Sequence, residues 1–191
     1  MQSIRKRQNL PKRKGKKPRI PLPSPLEAFF ATYAPQFQYD TTLSSVLEFY
    51  RLCNKSGWGR DDPRREIAHQ KFKDALVQQF NVAYGTDVND LASWQNLCHV
   101  VRIDPIPDGL DACRDAVYHT FINLVDLVDT KTTHEEVRLF QSERALSEYT
   151  RSTGKYFPSG NAHAGGLLRF LLRHILHPRR GYDALSPRGE F

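Results

Sequence analysis

Apolar residues recur at helical spacing along most of this chain. Between residues 62 and 85, four of them follow one another at intervals of four or five positions: Ile67, Phe72, Leu76 and Phe80. This spacing places them on one side of a helix. An Asp-Pro pair opens the segment and a glycine closes it, which is typical of a helix start and a helix stop. The pattern therefore predicts one long helix here, with these four residues facing the core.

The same criteria predict seven helices in all. They span residues 24–35, 45–57, 62–85, 89–102, 108–128, 133–154 and 161–176, with a break in the sixth near Ser142. No segment alternates apolar and polar residues between turn signals, so no strand is predicted. We expect an all-α fold, a single orthogonal bundle of about seven helices joined by short loops. The helical domain should span residues 25–177, between an N-terminal arm (1–24) and a flexible C-terminal tail (178–191).

Several helix starts carry a capping box, in which Ser or Thr is followed three residues later by Glu. The pairs are Ser24 with Glu27, Ser45 with Glu48, and Thr133 with Glu136. Asp108 is an N-cap candidate for the fifth helix. The apolar stripe of that helix continues to Val128 over about five turns. We therefore predict one continuous helix there, with its centre buried on nearly all sides.

Charge divides the chain into a basic arm and a nearly neutral body. The 191 residues include 28 Lys and Arg against 21 Asp and Glu. Nine of the basic residues, and none of the acidic ones, fall within the first 19 positions, which leaves 19 against 21 in the rest. Prolines recur through the first 25 positions. Together with charge repulsion they favour an extended, disordered arm.

The densest basic cluster of the arm has the composition of a nuclear import signal. It consists of Lys12, Arg13, Lys14, Lys16 and Lys17. An extended chain can place such cations into acidic and aromatic pockets of an import carrier, which predicts a nuclear location, with the cytoplasm as the alternative. The same charges could release counterions from a nucleic acid backbone, or they could only solvate the tail. The sequence leaves these three roles open.

Four arginines lie near the end of the chain: Arg169, Arg173, Arg179 and Arg180. On the predicted last helix, Arg169 and Arg173 are one turn apart and share a face. This face is interpreted most simply as the solvated side of an amphipathic helix. The alternative is a basic, phosphate-binding face that acts together with the arm.

Composition and motifs argue against several classes of protein. The longest uncharged, largely apolar run, residues 116–125, is about half as long as a membrane-spanning helix. Cys53, Cys98 and Cys113 are odd in number and widely spaced, which argues against a disulfide framework and against a zinc site. The sequence has no P-loop, dinucleotide fingerprint or serine-nucleophile motif. We expect no cofactor, no metal and no membrane segment.

Three acids offer a weak candidate for catalysis. Asp126 and Asp129 lie three positions apart at the end of the predicted fifth helix, and Glu136 lies at the start of the next. Carboxylates that face one cation would suit metal-assisted phosphoester chemistry. The structural alternative is that these acids complement helix dipoles or bond nearby backbone. We expect the structural role.

Two further features have a packing interpretation and a functional one. Trp58 lies between two glycines in a predicted loop, where it either marks a contact site or folds back over the core. We expect it to cover the core. Gly165 and Gly166 lie inside the predicted last helix and should allow another helix to approach closely, because no strand precedes them as in a phosphate-binding loop.

Short segments distributed over most of the body resemble a large family of uncharacterised fungal all-helical proteins. They lie at residues 29–39 (FFATYAPQFQY), 48–52 (EFYRL), 57–58 (GW), 94–98 (WQNLC), 123–128 (NLVDLV), 149–150 (YT), 154–158 (GKYFP) and 171–175 (LLRHI). The resemblance implies one whole domain, a eukaryotic intracellular setting and no recognised enzyme class. The basic arm lies outside it.

The sequence thus predicts an intracellular binding or interaction module without enzymatic activity. This module carries a nuclear-targeting arm and binds a protein partner that the sequence does not identify. The first alternative is a nucleic-acid-associated protein that uses the arm and the C-terminal arginines. The second is a metal-assisted phosphoester enzyme built on Asp126, Asp129 and Glu136.

Overall fold

Eight helices and one two-stranded sheet make up the part of the chain that the computed structural model describes, residues 22–161, 163–173 and 175–176. The elements are α1 (Pro25–Ala31), α2 (Ser45–Lys55), α3 (Pro63–Tyr84), α4 (Leu91–Val100), α5 (Leu110–Tyr118), β1 (Phe121–Ile122), α6 (Leu124–Thr133), β2 (Leu139–Phe140), α7 (Glu143–Thr153) and α8 (Gly166–Leu171). The prediction of a mostly helical fold is confirmed. Within the described ranges, no helix combines the length and the apolar character needed to cross a bilayer.

The long helix α3 forms as its sequence predicts and contacts α1, α2, α4 and α6. The Asp62 carboxylate caps its first turn by accepting from the Arg64 amide, and Gly85 ends it with a φ of 90°. A side chain at Gly85 would meet the Ser93 hydroxyl at 2.6 Å. Ile67 is 59% exposed, so its predicted place in the core is wrong. The buried face of α3 begins at the next residue, Ala68, and continues with Phe72.

Aromatic rings join the first three helices. Phe30 stacks on Tyr39 with centroids 4.2 Å apart, and Phe49 stacks on Phe72 at 4.8 Å. Offset and edge-on ring contacts of this kind add to the free energy gained from burial alone. Trp58 packs partly buried against the core and meets a neighbouring tyrosine edge-on. The prediction that Trp58 covers the core is confirmed.

The single helix predicted over residues 108–128 is wrong, because two helices and a strand occupy this region. Gly109, not Asp108, is the N-cap of α5, which ends at Tyr118. Asn123 then starts α6, since its side-chain oxygen accepts from the backbone amides of Val125 and Asp126. The residues between the helices form β1, which pairs antiparallel with β2. The absence of strands predicted from the sequence is therefore also wrong, by one short pair.

The predicted sixth helix begins later than its capping box indicates. α6 continues to Thr133, and His134 ends it in the left-handed conformation with φ 58°. Residues 135–142 include β2, and α7 starts only after Ser142, whose hydroxyl accepts from the Ala145 amide. The break expected near Ser142 is thus the true start of the helix.

The last helix is shorter than predicted and packs against a loop. α8 ends at Leu171, so the helix predicted to reach residue 176 is wrong. A Cβ added at Gly165 would lie 2.8 Å from the Thr86 Cβ and 2.9 Å from its Cα. The glycine therefore allows close approach, as expected, but to the loop between α3 and α4 and not to another helix. The Leu167 amide donates to the Thr86 carbonyl at the same contact.

Candidate functional site

A cavity of about 900 Å³ lies between α2, α3, the start of α6 and the segments that flank α7 and α8. Its inner walls are buried apolar side chains: Val46, Phe49, Phe72, Leu76, Ile122, Leu124, Leu146 and Leu171. The exposed members of the lining include Tyr50, Gln70, Tyr156 and Leu176, and they mark the side that opens to solvent. A concave apolar space with a few polar groups is the usual form of a small-molecule site.

On the α3 side, His69 and Lys73 line the cavity one helical turn apart. The His69 ring packs against Phe49 with centroids 5.3 Å apart. Burial, and then the neighbouring Lys73 charge, hold the pKa of His69 below its ordinary value, so the ring is neutral near pH 7. Among the described residues, neither side chain has a hydrogen-bond partner or an ion-pair partner.

On the opposite side, Lys155 lines the cavity from the segment that follows α7. Its ammonium lies 2.6 Å from the Asp126 carboxylate and 3.2 Å from the Tyr149 hydroxyl. Burial lowers the pKa of Lys155, but the hydrogen bond and charge of Asp126 outweigh it, so the pKa lies above its ordinary value. The Asn123 amide holds this segment in place by donating to the Lys155 carbonyl and to the Thr150 hydroxyl, both at 3.0 Å.

The charge of the lining is one-sided. Among the described lining residues, Lys73, Lys155 and Arg173 are cationic and none is Asp or Glu. Arg173 donates to the carbonyls of Phe170 and Tyr118 and lies 4.9 Å from the Tyr118 ring. Asp126 offsets the charge of Lys155, and the remaining positive charge of the lining favours an anionic group inside the cavity.

The structure does not bring the three candidate catalytic acids together. Asp126 is bound to Lys155, Asp129 accepts from the Ser45 amide at 3.1 Å, and Glu136 pairs on the surface with Arg102. No group of His, Cys, Asp and Glu side chains within the described ranges is arranged to hold a metal ion. Each acid has a different partner in a different part of the fold.

Asp129 has a structural role, as expected, but through a contact with α2 that the sequence did not indicate. Ser44 is the N-cap of α2 and makes no side-chain capping bond, so the predicted capping box at Ser45 and Glu48 is wrong. The Asp129 carboxylate, from α6, instead accepts from the first amide of α2. Burial raises the pKa of Asp129 to about 6, against the opposing effect of hydrogen bonding by Ser45 and Ser44 and of the Lys155 charge.

Glu48 is fully buried and ties α2 to the segment before it. Its carboxylate accepts from the Arg51 guanidinium at 2.7 Å and from the Asp40 amide at 2.8 Å. The Arg51 guanidinium also lies 4.5 Å from the centre of the Phe37 ring. The EFYRL segment is therefore explained by packing, because its acid and its base hold the chain around residues 37–40 in place.

The predicted basic residues are only partly within the described ranges. Arg169 is exposed on α8, whereas Arg173 lies beyond the end of that helix and is half-buried. The two therefore do not share a helix face as predicted. Lys12, Arg13, Lys14, Lys16 and Lys17 in the arm, and Arg179 and Arg180 in the tail, lie outside the described residues.

Sequence reasoning missed the cavity and the pair of residues on its α3 wall. The available signal was a histidine and a lysine four positions apart that flank the buried Phe72, but that pattern is also common at the edge of any amphipathic helix. No protein-family model, curated protein or solved structure matches the chain. Function is therefore argued from the geometry of the site.

Proposed function

We propose that the helical body is a non-enzymatic binding module and that the cavity between α2, α3 and α7 is its binding site. The observation that carries this proposal is the cavity itself, about 900 Å³ with apolar inner walls and an exposed edge. Its size is at the upper end of the range for drug-sized ligands, about 300–1,000 Å³. The eight described helices are proposed to form a single orthogonal bundle, supported by the contacts of α3 with four other helices.

The partners of the acids favour binding over catalysis. Metal-assisted phosphoester chemistry would require Asp126, Asp129 and Glu136 to face one cation. Each of them instead has its own partner: a lysine ammonium, a backbone amide and an arginine. A carboxylate held in this way contributes to the fold, and using it for metal binding would require breaking that contact.

Dye binding tests whether the cavity is a binding site. The full chain is titrated with 8-anilinonaphthalene-1-sulfonate, and the stoichiometry is measured by calorimetry. Gln70 is exposed and lines the cavity, whereas Gln78 is exposed on the same helix away from it. Gln70→Trp should therefore weaken binding at least five-fold, and the matched variant Gln78→Trp should leave it unchanged.

Two results would contradict the proposal. One is a native chain that shows no saturable binding of the dye. The other is an equal loss of binding in Gln70→Trp and Gln78→Trp, which would place the dye elsewhere. Circular dichroism of each variant shows whether the helical fold is retained.

We also propose that the arm, residues 1–24, directs the protein to the nucleus through an import carrier. The support is the basic cluster Lys12 to Lys17, which lies outside the described residues. A fluorescent fusion in which the five cations of this cluster are replaced by Ala should lose nuclear accumulation. Accumulation that is unchanged from the native fusion would leave the arm with another role, such as contact with nucleic acid.

A further inference from the structure

We propose that the ligand of the cavity is an organic anion with an apolar body, and that Lys73 and His69 hold its charged group. This inference rests on the proposed function, because it names the ligand class for the same site. The alternative occupants, a neutral apolar molecule and a cationic one, are distinguished by the experiment below.

The apolar body of the ligand follows from the inner walls. Buried Phe, Leu, Ile and Val side chains from α2, α3, β1, α6, α7 and α8 form them. A fully polar anion would lose its hydration there without hydrogen bonds in return. An alkyl or aromatic body fills this space and removes apolar surface from water.

We infer a single anionic group on the ligand by comparing the three cations that line the cavity. Lys155 is neutralised by Asp126 at 2.6 Å, and Arg173 is directed at two backbone carbonyls. Lys73 is half-buried and has no ion-pair partner among the described residues. Lys73 is therefore the lining cation that has no hydrogen-bond or ion-pair partner among the described residues, and an anionic ligand can supply one.

His69 is placed to assist Lys73. It lies one turn earlier on the same face of α3, and no described residue accepts a hydrogen bond from its ring. A neutral imidazole has one N–H donor, so a carboxylate beside Lys73 can accept from both side chains. Tyr50 and Gln70, at the exposed edge, supply further polar groups around this position.

The chain offers a matched control for charge. The full sequence has a formal net charge of +7, so any anion is attracted to the protein in general. Lys71 is exposed on the same helix and does not line the cavity. Lys71→Gln removes the same charge as Lys73→Gln and measures this general attraction, which salt also screens.

The experiment compares four probes on the full chain by calorimetry at 150 mM salt: decanoate, decanol, decylammonium and butyrate. Decanoate should bind at least ten-fold more tightly than decanol, and decylammonium and butyrate should bind most weakly. Lys73→Gln should remove the preference for decanoate and leave the affinity for decanol unchanged. Lys71→Gln should change neither affinity by more than two-fold, and Lys73→Arg should retain the preference.

The outcomes separate the two proposals. Equal binding of decanoate and decanol, with both still weakened by Gln70→Trp, would overturn the inference about charge and leave the binding site in place. Equal losses of decanoate affinity in Lys71→Gln and Lys73→Gln would also overturn the inference about charge. Absence of binding by every probe, the dye included, would overturn the proposed function itself.

Discussion

Asp129 should link the stability of the fold to pH. Asp129→Asn keeps the shape of the side chain and an oxygen that can accept from the Ser45 amide, but it removes the titrating proton. The pKa of Asp129 is about 6 in the folded chain, against about 3.9 for an unperturbed aspartate. The folded state therefore holds the proton more tightly. The stability gained from protonation is fully present below about pH 4 and is lost as pH rises through 6.

The size of the effect follows from the two pKa values. A shift of about two units corresponds to about 3 kcal/mol between acidic pH and pH 8. The residue is only 5% exposed, so solvent screening reduces this value little. Between pH 5 and pH 8, the part that is lost is about 1.4 kcal/mol. Over that interval, the free energy of unfolding of Asp129→Asn should gain about this amount relative to the native chain.

Urea unfolding at pH 5, 6.5 and 8, followed by tryptophan fluorescence, measures this difference. Asp61→Asn is the control, because Asp61 is exposed and its removal gives the general effect of losing one negative charge. Two parallel pH profiles for the native chain and Asp129→Asn would refute the reasoning. The same would follow if Asp61→Asn reproduced the whole change.

Three further substitutions test the contacts around the cavity and α8. Asn123→Ala removes the cap of α6 and the two hydrogen bonds that the Asn123 amide donates. It should lower the free energy of unfolding in urea by about 2–3 kcal/mol, and a loss below about 0.5 kcal/mol would contradict this role. Lys155→Met leaves the mostly buried Asp126 carboxylate without its cation and should lower the free energy of unfolding by about 2 kcal/mol. A double-mutant cycle with Asp126→Asn that shows no coupling energy would mean that the pair contributes nothing to stability. Gly165→Ala places a methyl group within 2.9 Å of the neighbouring loop and should lower the free energy of unfolding by about 2 kcal/mol. Gly160→Ala is the control, because its methyl group would meet no atom within 4 Å, and it should change the thermal midpoint little.

The fold was predictable where an apolar stripe and its end signals agree. The bounds of α3 follow from Asp62-Pro63 and Gly85, and the structure confirms them. The split at Asn123 was not predicted, because apolar residues such as Phe121 and Ile122 are equally suited to a buried position in a helix or in a strand. At this split the Asn123 side-chain oxygen accepts from two backbone amides, and such a contact competes with continuing the helix.

The cavity and the cap of α2 could not be predicted, for a different reason. Both are made by residues far apart in the sequence. Ser45 and Glu48 match a local capping box, yet Glu48 is bound by Arg51 and by the Asp40 amide. A local pattern cannot show that the Asp129 carboxylate, from α6, accepts from the first backbone amide of α2 instead.

The partner of that first turn has a consequence for synthesis of the chain. Asp129 follows Ser45 by 84 residues, and Gln79, whose side chain accepts from the Leu26 amide, follows Leu26 by 53. At about 5–20 residues per second, a ribosome needs about 4–17 s to make the 84 residues. Until α6 has emerged, α2 lacks the acceptor for its first amide. The N-terminal helices therefore gain these two contacts only after the later part of the chain has been made.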